Sequence, residues 1–514
     1  MEFHSRINLV SRYGSTDTSD SCESSGKRFG IDLESLQRNC MSENKNTQSA
    51  GIKPIARTTK FFYGTGDYFF ALMTSVETYF FNYFLTNIAN FAGGVVTTIA
   101  LITSIVDAGL SWIYGSVVNA VKPGRFGRYR TWLVMVPWIV PFLYTFQFLK
   151  IGDGPLAYVL IALGFILSHI GWNLCWAANI TLVSIVGGTP EGRATLAASR
   201  ATWIQLSGIT FGYIGPPLAT FFGAIIGEQN SYAALAFVLG WLMVLGYFVN
   251  FMVTAGHEEI EITSGPAQKP SKTGASAGDM VKSLFQNSHL CFLLLADIPR
   301  FTARFVPGAV AVYYFQYVAN DTGMLPPFLL LTNLGAFAGS FIAGFIARNL
   351  DARNVVLFSN TVMAASFILA YLYFSSPWMV VTMMTVANIA LGVSFSVSTV
   401  LYADAAIFAQ WKLGVDSRGW IMGLNNVPIK VAVIARALVV NISLILIGFN
   451  AAAIAKDPGL VTVELQKGIT AAFALIPAII IIIGIPLLFF GYRLSREKII
   501  KYQEEIEARK SAPL

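Results

Sequence analysis

Long apolar runs alternate with short polar segments along most of the chain, from about residue 61 to residue 493. Each run contains the roughly 20 apolar residues that an α-helix needs to cross a bilayer. The pattern therefore predicts an all-α polytopic membrane protein. We expect about twelve transmembrane helices, at 61–90, 91–121, 131–149, 155–187, 194–222, 231–255, 286–319, 325–347, 355–374, 377–405, 419–450 and 468–492.

The predicted helices fall into two groups of six, separated by the longest polar segment of the interior. That segment contains Gly, Ser and Pro, a composition typical of flexible connectors. The Ser-, Asn- and Lys-rich start of the chain indicates disorder. The predicted regions are a cytoplasmic tail at 1–60, a six-helix half at 61–255, a cytoplasmic linker at 256–285, a six-helix half at 286–493 and a cytoplasmic tail at 494–514.

Two six-helix halves around a linker resemble the architecture of the major facilitator superfamily, whose halves are structural repeats. A weak internal sequence repeat, the echo, agrees with this interpretation. Asp67 followed by YFFNYF at 79–84 resembles Asp297 followed by YYFQYV at 313–318. The spacings differ, and the preference of aromatic residues for membrane interfaces explains the two clusters equally well.

Composition supports a membrane protein and explains the net charge. The chain is 55% hydrophobic and 12% charged, whereas soluble domains carry roughly a quarter charged residues. With the N-terminus inside, 27 of the 35 Lys and Arg fall in cytoplasmic segments. This is the positive-inside pattern, with both termini cytoplasmic. The net charge of +7 thus reflects topology, and we predict no nucleic-acid partner.

Few residues of the chain suit covalent or metal chemistry. The four cysteines lack the spacing of a disulfide framework or a metal site, and the four histidines are not clustered. No phosphate-binding G-x-x-x-x-G-K-[ST] motif is present in the sequence. We therefore expect no cofactor and no enzymatic activity.

Several polar residues within the apolar runs fall at a common predicted depth. Charges in the bilayer core are costly, so they face a partner or a water-filled cavity. At about 1.5 Å per helical residue, Lys430, Asp107 and Asn173 lie roughly 18–22 Å from the nearest cytoplasmic charge or loop, near the midplane. We expect Lys430 to pair with Asp107. Asn426 shares the helix face of Lys430, whereas Arg436 faces elsewhere and either extends outward or meets another acid.

A second predicted layer lies closer to the cytoplasm. Asp67, Arg200 and Asp404 come out about 10–12 Å deep on three different helices, and the seventh predicted helix adds further charges. Mixed signs at one depth suggest ion pairs that close one face of the protein. An alternative is that such pairs only hold helices together. The charges of the seventh helix are Asp297, Arg300 and Arg304.

Three stretches resemble one branch of the superfamily, the glycoside–pentoside–hexuronide:cation symporter family. They are SIVDAGLSWIYGSVVNAVKPGRFGRYRTW (104–132), YADAAIFAQWKLGVDSRGWIMGLNNVPIK (402–430) and TPEGRATLAASRATW (189–203), with YGTGD at 63–67 similar to the family's opening. The resemblance implies that Asp107 is the carboxylate of a cation site and Lys430 its neighbour. It also implies that Arg200 and Asn173 lie near a sugar substrate.

The chain departs from the family pattern at several acidic positions. Sodium-coupled members usually carry a second carboxylate four residues after the first, and here that residue is Ser111. Because a hydroxyl is a weaker ligand for a hard cation, a lone carboxylate beside Lys430 favours proton exchange, although Na⁺ stays open. Other family acids correspond to Ala71, Ile407 and Gln410. Their loss suggests a less polar or anionic substrate.

The remaining candidate residues are aromatic or basic. Trp172 and Trp176 are one helical turn apart and either stack on a substrate ring or simply pack. The loop arginines are expected to pair with helix C-termini or with acids such as Asp404 and Asp416, and they also fix topology. These arginines are Arg125, Arg128 and Arg130.

Together these features predict a monomeric, multi-pass transporter of the cell membrane that moves a small organic solute together with H⁺ or Na⁺. A glycoside, sugar or uronide is the first hypothesis. An amphiphilic or anionic solute such as a steroid, bile acid or lysolipid, carried with protons, is the alternative. A non-transporting sensor or scaffold with the same fold is the rival from another class. The predicted substrate residues are Asp67, Trp172, Asn173, Trp176, Arg200 and Asn426.

Overall fold

The computed structural model describes residues 55–120, 125–152, 154–187, 190–257, 284, 286–413, 421 and 424–511. Within these ranges the regular structure is helical, as predicted. The α-helices are α1 Arg57–Phe62, α2 Thr65–Tyr83, α3 Gly93–Ala120, α4 Arg130–Met135, α5 Val140–Phe146, α6 Pro155–Gly187, α7 Pro190–Ile226, α8 Glu228–Val253, α9 Ser288–Tyr313, α10 Leu325–Asn349, α11 Ala352–Leu372, α12 Pro377–Leu413, α13 Asn426–Leu446, α14 Ala451–Lys456, α15 Val463–Thr470, α16 Ile476–Gly491 and α17 Arg496–Ser511.

Nine helices of the described ranges are long and apolar enough to cross a membrane. Three other predicted spans fall short for local reasons. The span 61–90 carries the acidic residues Asp67 and Glu77 within α2, and 131–149 is divided by a 3₁₀ turn at Pro137. The span 286–319 holds three charged residues within α9. The polytopic helical fold is confirmed, while the count of twelve and the position of the termini stay predictions.

The boundaries of several spans differ from those predicted. α7 and α8 are separated only by Gly227, whose φ of +86° permits the sharp reversal that most residues would resist. α13 begins at Asn426, later than the predicted start at 419, and residues 414–420 and 422–423 lie outside the described ranges. The predicted linker at 256–285 and the tail at 1–60 also lie almost wholly outside them.

The end of the chain forms a helix that packs on the second half. The Trp411 indole N–H at the end of α12 donates to Glu505 of α17 at 2.6 Å. Tyr502 stacks on the Trp411 ring with centroids 4.3 Å apart, and Arg509 donates to the Trp411 carbonyl. The predicted C-terminal tail is therefore a docked helix in its described part.

The backbone contains an internal repeat with one constant offset. Tyr83 and Tyr313, which are 230 positions apart, end α2 and α9, and each is followed by a five-residue π-helix. Asn90 and Asn320, with the same offset, both adopt positive φ, at 55° and 51°. The predicted echo was therefore real but misaligned, because Tyr313 corresponds to Tyr83 and not to the start of the YFFNYF cluster.

Close helix approach depends on glycine at one crossing in the second half. A Cβ on Gly339 of α10 would lie 2.0 Å from the Ile389 carbonyl oxygen of α12. A Cβ on Gly392 of α12 would lie 2.0 Å from the Ala336 carbonyl oxygen of α10. The two backbones interlock through these positions, as small residues allow in membrane bundles.

Candidate functional site

An ion pair joins the first six spans to the last six. Lys430 Nζ of α13 lies 2.9 Å from Asp107 Oδ2 of α3, so the expected pairing is present. Asn173 of α6 donates its side-chain amide to the other oxygen, Asp107 Oδ1, at 2.9 Å. The side chains of Asp107 and Lys430 are 11% and 34% exposed, so the acid is the more deeply enclosed partner.

The sequence around Lys430 explains why this lysine needs an acid. Lys430 is the fifth residue of α13, near the helix end whose backbone dipole disfavours a positive charge by a few tenths to about 1 kcal/mol. The carboxylate of Asp107 offsets both this effect and the desolvation of the ammonium group. Asn426 lies one turn earlier, exposed at the first position of α13. Ser111 belongs to α3, but its side chain is outside the described part of the protein.

A second group of titratable side chains lies near the first. His169 Nε2 of α6 is 3.3 Å from Glu77 Oε2 of α2. Glu77 also lines a cavity together with Arg436 of α13, so Arg436 faces an acid, one of the two expectations for it. Asn173 donates to the backbone carbonyl of His169 at 2.9 Å and thereby touches both groups. Sequence reasoning missed His169, although its i,i+4 spacing from Asn173 placed both on one helix face.

Asp67 and Arg200 form the expected ion pair within the first six spans. Arg200 donates through Nε and Nη2 to the two carboxylate oxygens at 2.7 and 2.6 Å. Asp67 is fully buried and accepts a further bond from Asn179, which in turn accepts from Asn250. Such bidentate, charge-assisted bonds are strong and directional. The pair holds α2, α6, α7 and α8 together, and both amides were missed in the sequence.

Asp297 and Arg300 also pair, but along a single helix. Arg300 Nη2 lies 3.0 Å from Asp297 Oδ1 one turn apart on α9. The connection to α12 runs through hydroxyl groups, because Tyr402 donates to Asp297 at 2.8 Å and Arg300 donates to Ser394 and Ser398. The predicted layer therefore exists here, with both charged residues buried.

Arg304 and Asp404 do not join this layer in the described residues. Arg304 lies over the ring of Phe395, with its guanidinium carbon 5.3 Å from the ring centroid, and lines a separate cavity beside Tyr79. Asp404 is half-buried on α12. The described part of the chain shows no ion pair between Asp404 and the loop arginines, and Asp416 lies outside it. The expected pairing of Asp404 with those arginines is therefore absent from this structure.

The three loop arginines have different environments. Arg130 donates to the carbonyl of Phe251 at 2.8 Å and stacks over its ring. Because Phe251 lies in the last turn of α8, this contact is the expected pairing of an arginine with a helix C-terminus. Arg125 is exposed and Arg128 is half-buried.

The aromatic candidates also differ. Trp172 packs against Phe70 and His169, with ring centroids 4.9 and 4.7 Å apart. Its indole nitrogen is buried and has no acceptor among the described residues. Trp176 is half-buried on α6. Trp172 thus belongs to the His169 cluster, while the predicted stacking of either ring on a substrate stays a prediction.

The C-terminal end of α2 in the first half of the chain contacts the C-terminal end of α9 in the second half. Tyr313 Oη lies 2.6 Å from the Thr86 hydroxyl, and Asn82 donates to the same Tyr313 oxygen at 3.0 Å. Tyr83 bonds Gln316 and Asn87 bonds Tyr317. These contacts close one end of the bundle, at the C-terminal ends of α2 and α9, away from Asp67 in the first turn of α2 and Asp297 in the first half of α9.

Comparison with known proteins identifies the fold and the family. The family described as MFS/sugar transport protein matches residues 62–496. A solved bacterial homologue of the human lysosomal transporter Spinster, in an inward-facing and unoccupied conformation, matches with a TM-score of 0.64 at 13% identity, covering 87% of this chain and 97% of that one. At this identity the match establishes the fold alone.

Sequence relatives agree with the fold. The isoprimeverose transporter of Lactiplantibacillus pentosus is 24% identical over 414 residues, covering 77% of this chain and 82% of the relative. The glucuronide carrier protein homolog of Escherichia coli (strain K12) is 24% identical over 444 residues, covering 83% and 90%. The resemblance to the glycoside–pentoside–hexuronide:cation symporters is thereby confirmed. The chain belongs to the MFS/sugar transport protein family, and it is a multi-pass membrane transporter and not an enzyme.

Proposed function

We propose that this transporter carries a sugar or uronide together with a cation by alternating access, and that the Asp107–Lys430 pair couples the two. The ion pair itself is the observation that carries the proposal. It links α3 to α13, two helices from opposite sides of segment 258–283, through groups that are enclosed in protein. Transporters of this architecture place their sites at the interface of the two repeats.

The ion pair suits coupling because its strength depends on what else is bound. Removing one partner of a buried ion pair strongly destabilises a protein, because the other charge stays buried without compensation. A cation that binds near Asp107 therefore weakens the attraction between Asp107 and Lys430, and an anionic or hydroxyl-bearing solute at Lys430 weakens it from the other side. Either event changes the cost of separating α3 from α13, and that separation is the motion that alternating access requires.

A cavity lined from α2, α3 and α13 carries groups that bond hydroxyls and carboxylates. It is lined by Asn82, Thr103 and Ser104 together with Glu77 and Arg436. Amide and hydroxyl groups bond sugar hydroxyls, and a guanidinium can bind a carboxylate through two parallel bonds. The relatives named as a glucuronide carrier and as sulfoquinovose importers support an anionic sugar as substrate.

The closed end of the bundle indicates which state the structure represents. The Tyr313 contacts seal the side away from Asp67 and Asp297. With the predicted topology, this side is extracellular, so we assign an inward-facing state.

The test is transport by the purified protein in liposomes, with 4-nitrophenyl β-D-glucuronide and isoprimeverose as solutes. We expect saturable counterflow and accumulation under an imposed H⁺ or Na⁺ gradient. Asp107→Asn should lose the gradient-driven accumulation, whereas Lys467→Gln, which changes an exposed lysine of α15, should behave as wild type. A flux that ignores every imposed gradient would contradict cation coupling. Specific binding without counterflow would instead indicate a sensor.

A further inference from the structure

We propose that Glu77 and His169 form a buried proton-binding site, distinct from the Asp107–Lys430 pair, and that a proton is the cation which this transporter couples to its solute. The inference rests on the proposed function for its role in coupling. The site itself is argued from the positions of hydrogen-bond donors and acceptors around two side chains, neither of which sequence reasoning assigned to the cation.

The orientation of His169 determines which of its nitrogens carries a hydrogen. His169 Nδ1 lies 2.9 Å from the carbonyl oxygen of Phe165. A carbonyl oxygen only accepts hydrogen bonds, so Nδ1 must be the donor and carry a hydrogen. In the neutral ring the other nitrogen, Nε2, then has a bare lone pair. This is the atom that lies 3.3 Å from Glu77 Oε2.

The Glu77 oxygen beside that nitrogen lacks compensation. Glu77 Oε2 is buried, and no hydrogen-bond donor of the described residues is directed at it. An ionised carboxylate beside a bare nitrogen would leave two acceptors facing each other with no water between them, a costly arrangement. One added proton removes the conflict. It is held either on Glu77, which then donates to Nε2, or on Nε2, which then donates to Glu77.

The Asp107 carboxylate has no such need for a proton. Its oxygens lie 2.9 Å from the Lys430 ammonium and 2.9 Å from the Asn173 amide. Both of these groups are hydrogen-bond donors, so they need the Asp107 oxygens as acceptors. Protonating Asp107 would place a hydrogen where donors already point. The geometry therefore assigns the uptake and release of the proton to the Glu77–His169 pair and not to Asp107.

The polar groups around Glu77 leave its Oε2 atom without a donor among the described residues. From α5, the Tyr144 hydroxyl donates to the Met73 carbonyl and accepts from the Glu77 amide, so its hydrogen is not available to the carboxylate. From α3, the Thr103 hydroxyl donates to Ile99. The cavity-lining residue of α9 is the uncharged Ala309. The other polar residues that line the cavity are Thr78 and Asn82 of α2, Ser104 of α3 and the cationic Arg436 of α13.

Arg436 gives proton release a mechanical consequence. Its guanidinium and Glu77 line the same cavity from α13 and α2, on opposite sides of segment 258–283. When the proton leaves, the Glu77–His169 pair loses one positive charge, so the attraction between Glu77 and Arg436 becomes stronger and draws these two helices together. When the proton returns, the attraction becomes weaker. Asn173 joins this site to the other one, since it bonds both the His169 carbonyl and Asp107.

The site is tested without a substrate by infrared difference spectroscopy of the full-length protein during a pH titration. Because one proton is shared, we expect Glu77→Gln and His169→Asn to remove the same titration step, in both its carboxyl and its imidazole bands. The control variants Glu464→Gln and His289→Asn change residues outside the cluster and should keep the step. Persistence of the full step in either cluster variant would overturn the proposal. If Glu77→Gln is not recovered folded, Glu77→Asp must move the step, and an unmoved step would also overturn it.

A transport measurement tests the coupling role separately. Wild-type protein in liposomes should accumulate 4-nitrophenyl β-D-glucuronide under an inward H⁺ gradient, and its counterflow should vary with pH. In Glu77→Gln we expect no H⁺-driven accumulation and counterflow that no longer varies with pH. Accumulation that survives in this variant would refute the coupling role. A wild-type protein that titrates as described but carries no solute would refute the proposed function and leave the proton site standing.

Discussion

The central ion pair should respond asymmetrically to removal of its two charges. At 2.9 Å and an effective dielectric constant of about 20, the attraction is about 6 kcal/mol before desolvation is subtracted. Breaking a fully buried pair costs about 3–5 kcal/mol, and an exposed pair is worth about 0–1 kcal/mol. Lys430 is one third exposed, so in Asp107→Asn its ammonium regains some water, and we expect a loss of about 2 kcal/mol.

Lys430→Gln should lower the stability further, because it removes the cationic partner of Asp107, the better enclosed of the two side chains. The Asn173 amide still bonds the Asp107 carboxylate but does not neutralise its charge. We expect a loss of about 3 kcal/mol, in the lower part of the buried range. The double variant leaves neither charge alone and should lose clearly less than the sum of the single variants.

The measurement is thermal unfolding in detergent, followed by tryptophan fluorescence, for wild type, both single variants and the double variant. Lys467→Gln serves as the control for loss of a lysine, since Lys467 is exposed. Equal destabilisation by the two single variants would refute the argument from exposure. Additive losses in the double variant would refute the interaction itself.

Two further variants test contacts away from the central pair. Arg200→Lys should lower the unfolding temperature, with a cost of about 1–2 kcal/mol, because lysine cannot supply the two parallel bonds that hold fully buried Asp67; an unchanged temperature would contradict the bidentate geometry. Gly339→Ala should prevent recovery of folded protein, because its Cβ would meet a backbone oxygen at 2.0 Å, whereas Gly94→Ala, with nothing within 4 Å, should be neutral. Size-exclusion profiles of the two glycine variants decide this point.

Charges within apolar runs were the most predictable part of the site. Depth along a helix placed Lys430 level with Asp107, and Arg200 level with Asp67, since the number of residues from a charged loop converts directly into distance. The cost of an unpaired charge in the membrane then required a partner at the same level. Both pairs are present in the structure.

Neutral polar groups could not be predicted in the same way. Asn179 and Asn250 complete the hydrogen-bond network of Asp67. Burying an amide without a partner costs less free energy than burying a charge, so an Asn in an apolar run does not by itself predict a partner. Helix rotation was a second limit, because depth alone assigned Arg304 to the layer of Asp297. In the structure it points to another cavity. His169 was overlooked because a search for clusters along the sequence does not detect one formed between helices.

The 230-residue offset relates the Asp107–Lys430 pair to the Asp67–Arg200 pair. Arg200 and Lys430 are also 230 positions apart, as are Asp67 and Asp297, so the two basic residues and the two acids are counterparts. In the first copy the counterparts bind each other. In the second copy Asp297 pairs with Arg300 on its own helix and not with Lys430. Lys430 pairs instead with Asp107 of the first copy. Equivalent positions thus serve different purposes: Arg200 makes a bond within the first copy, and Lys430 makes the link between the two copies.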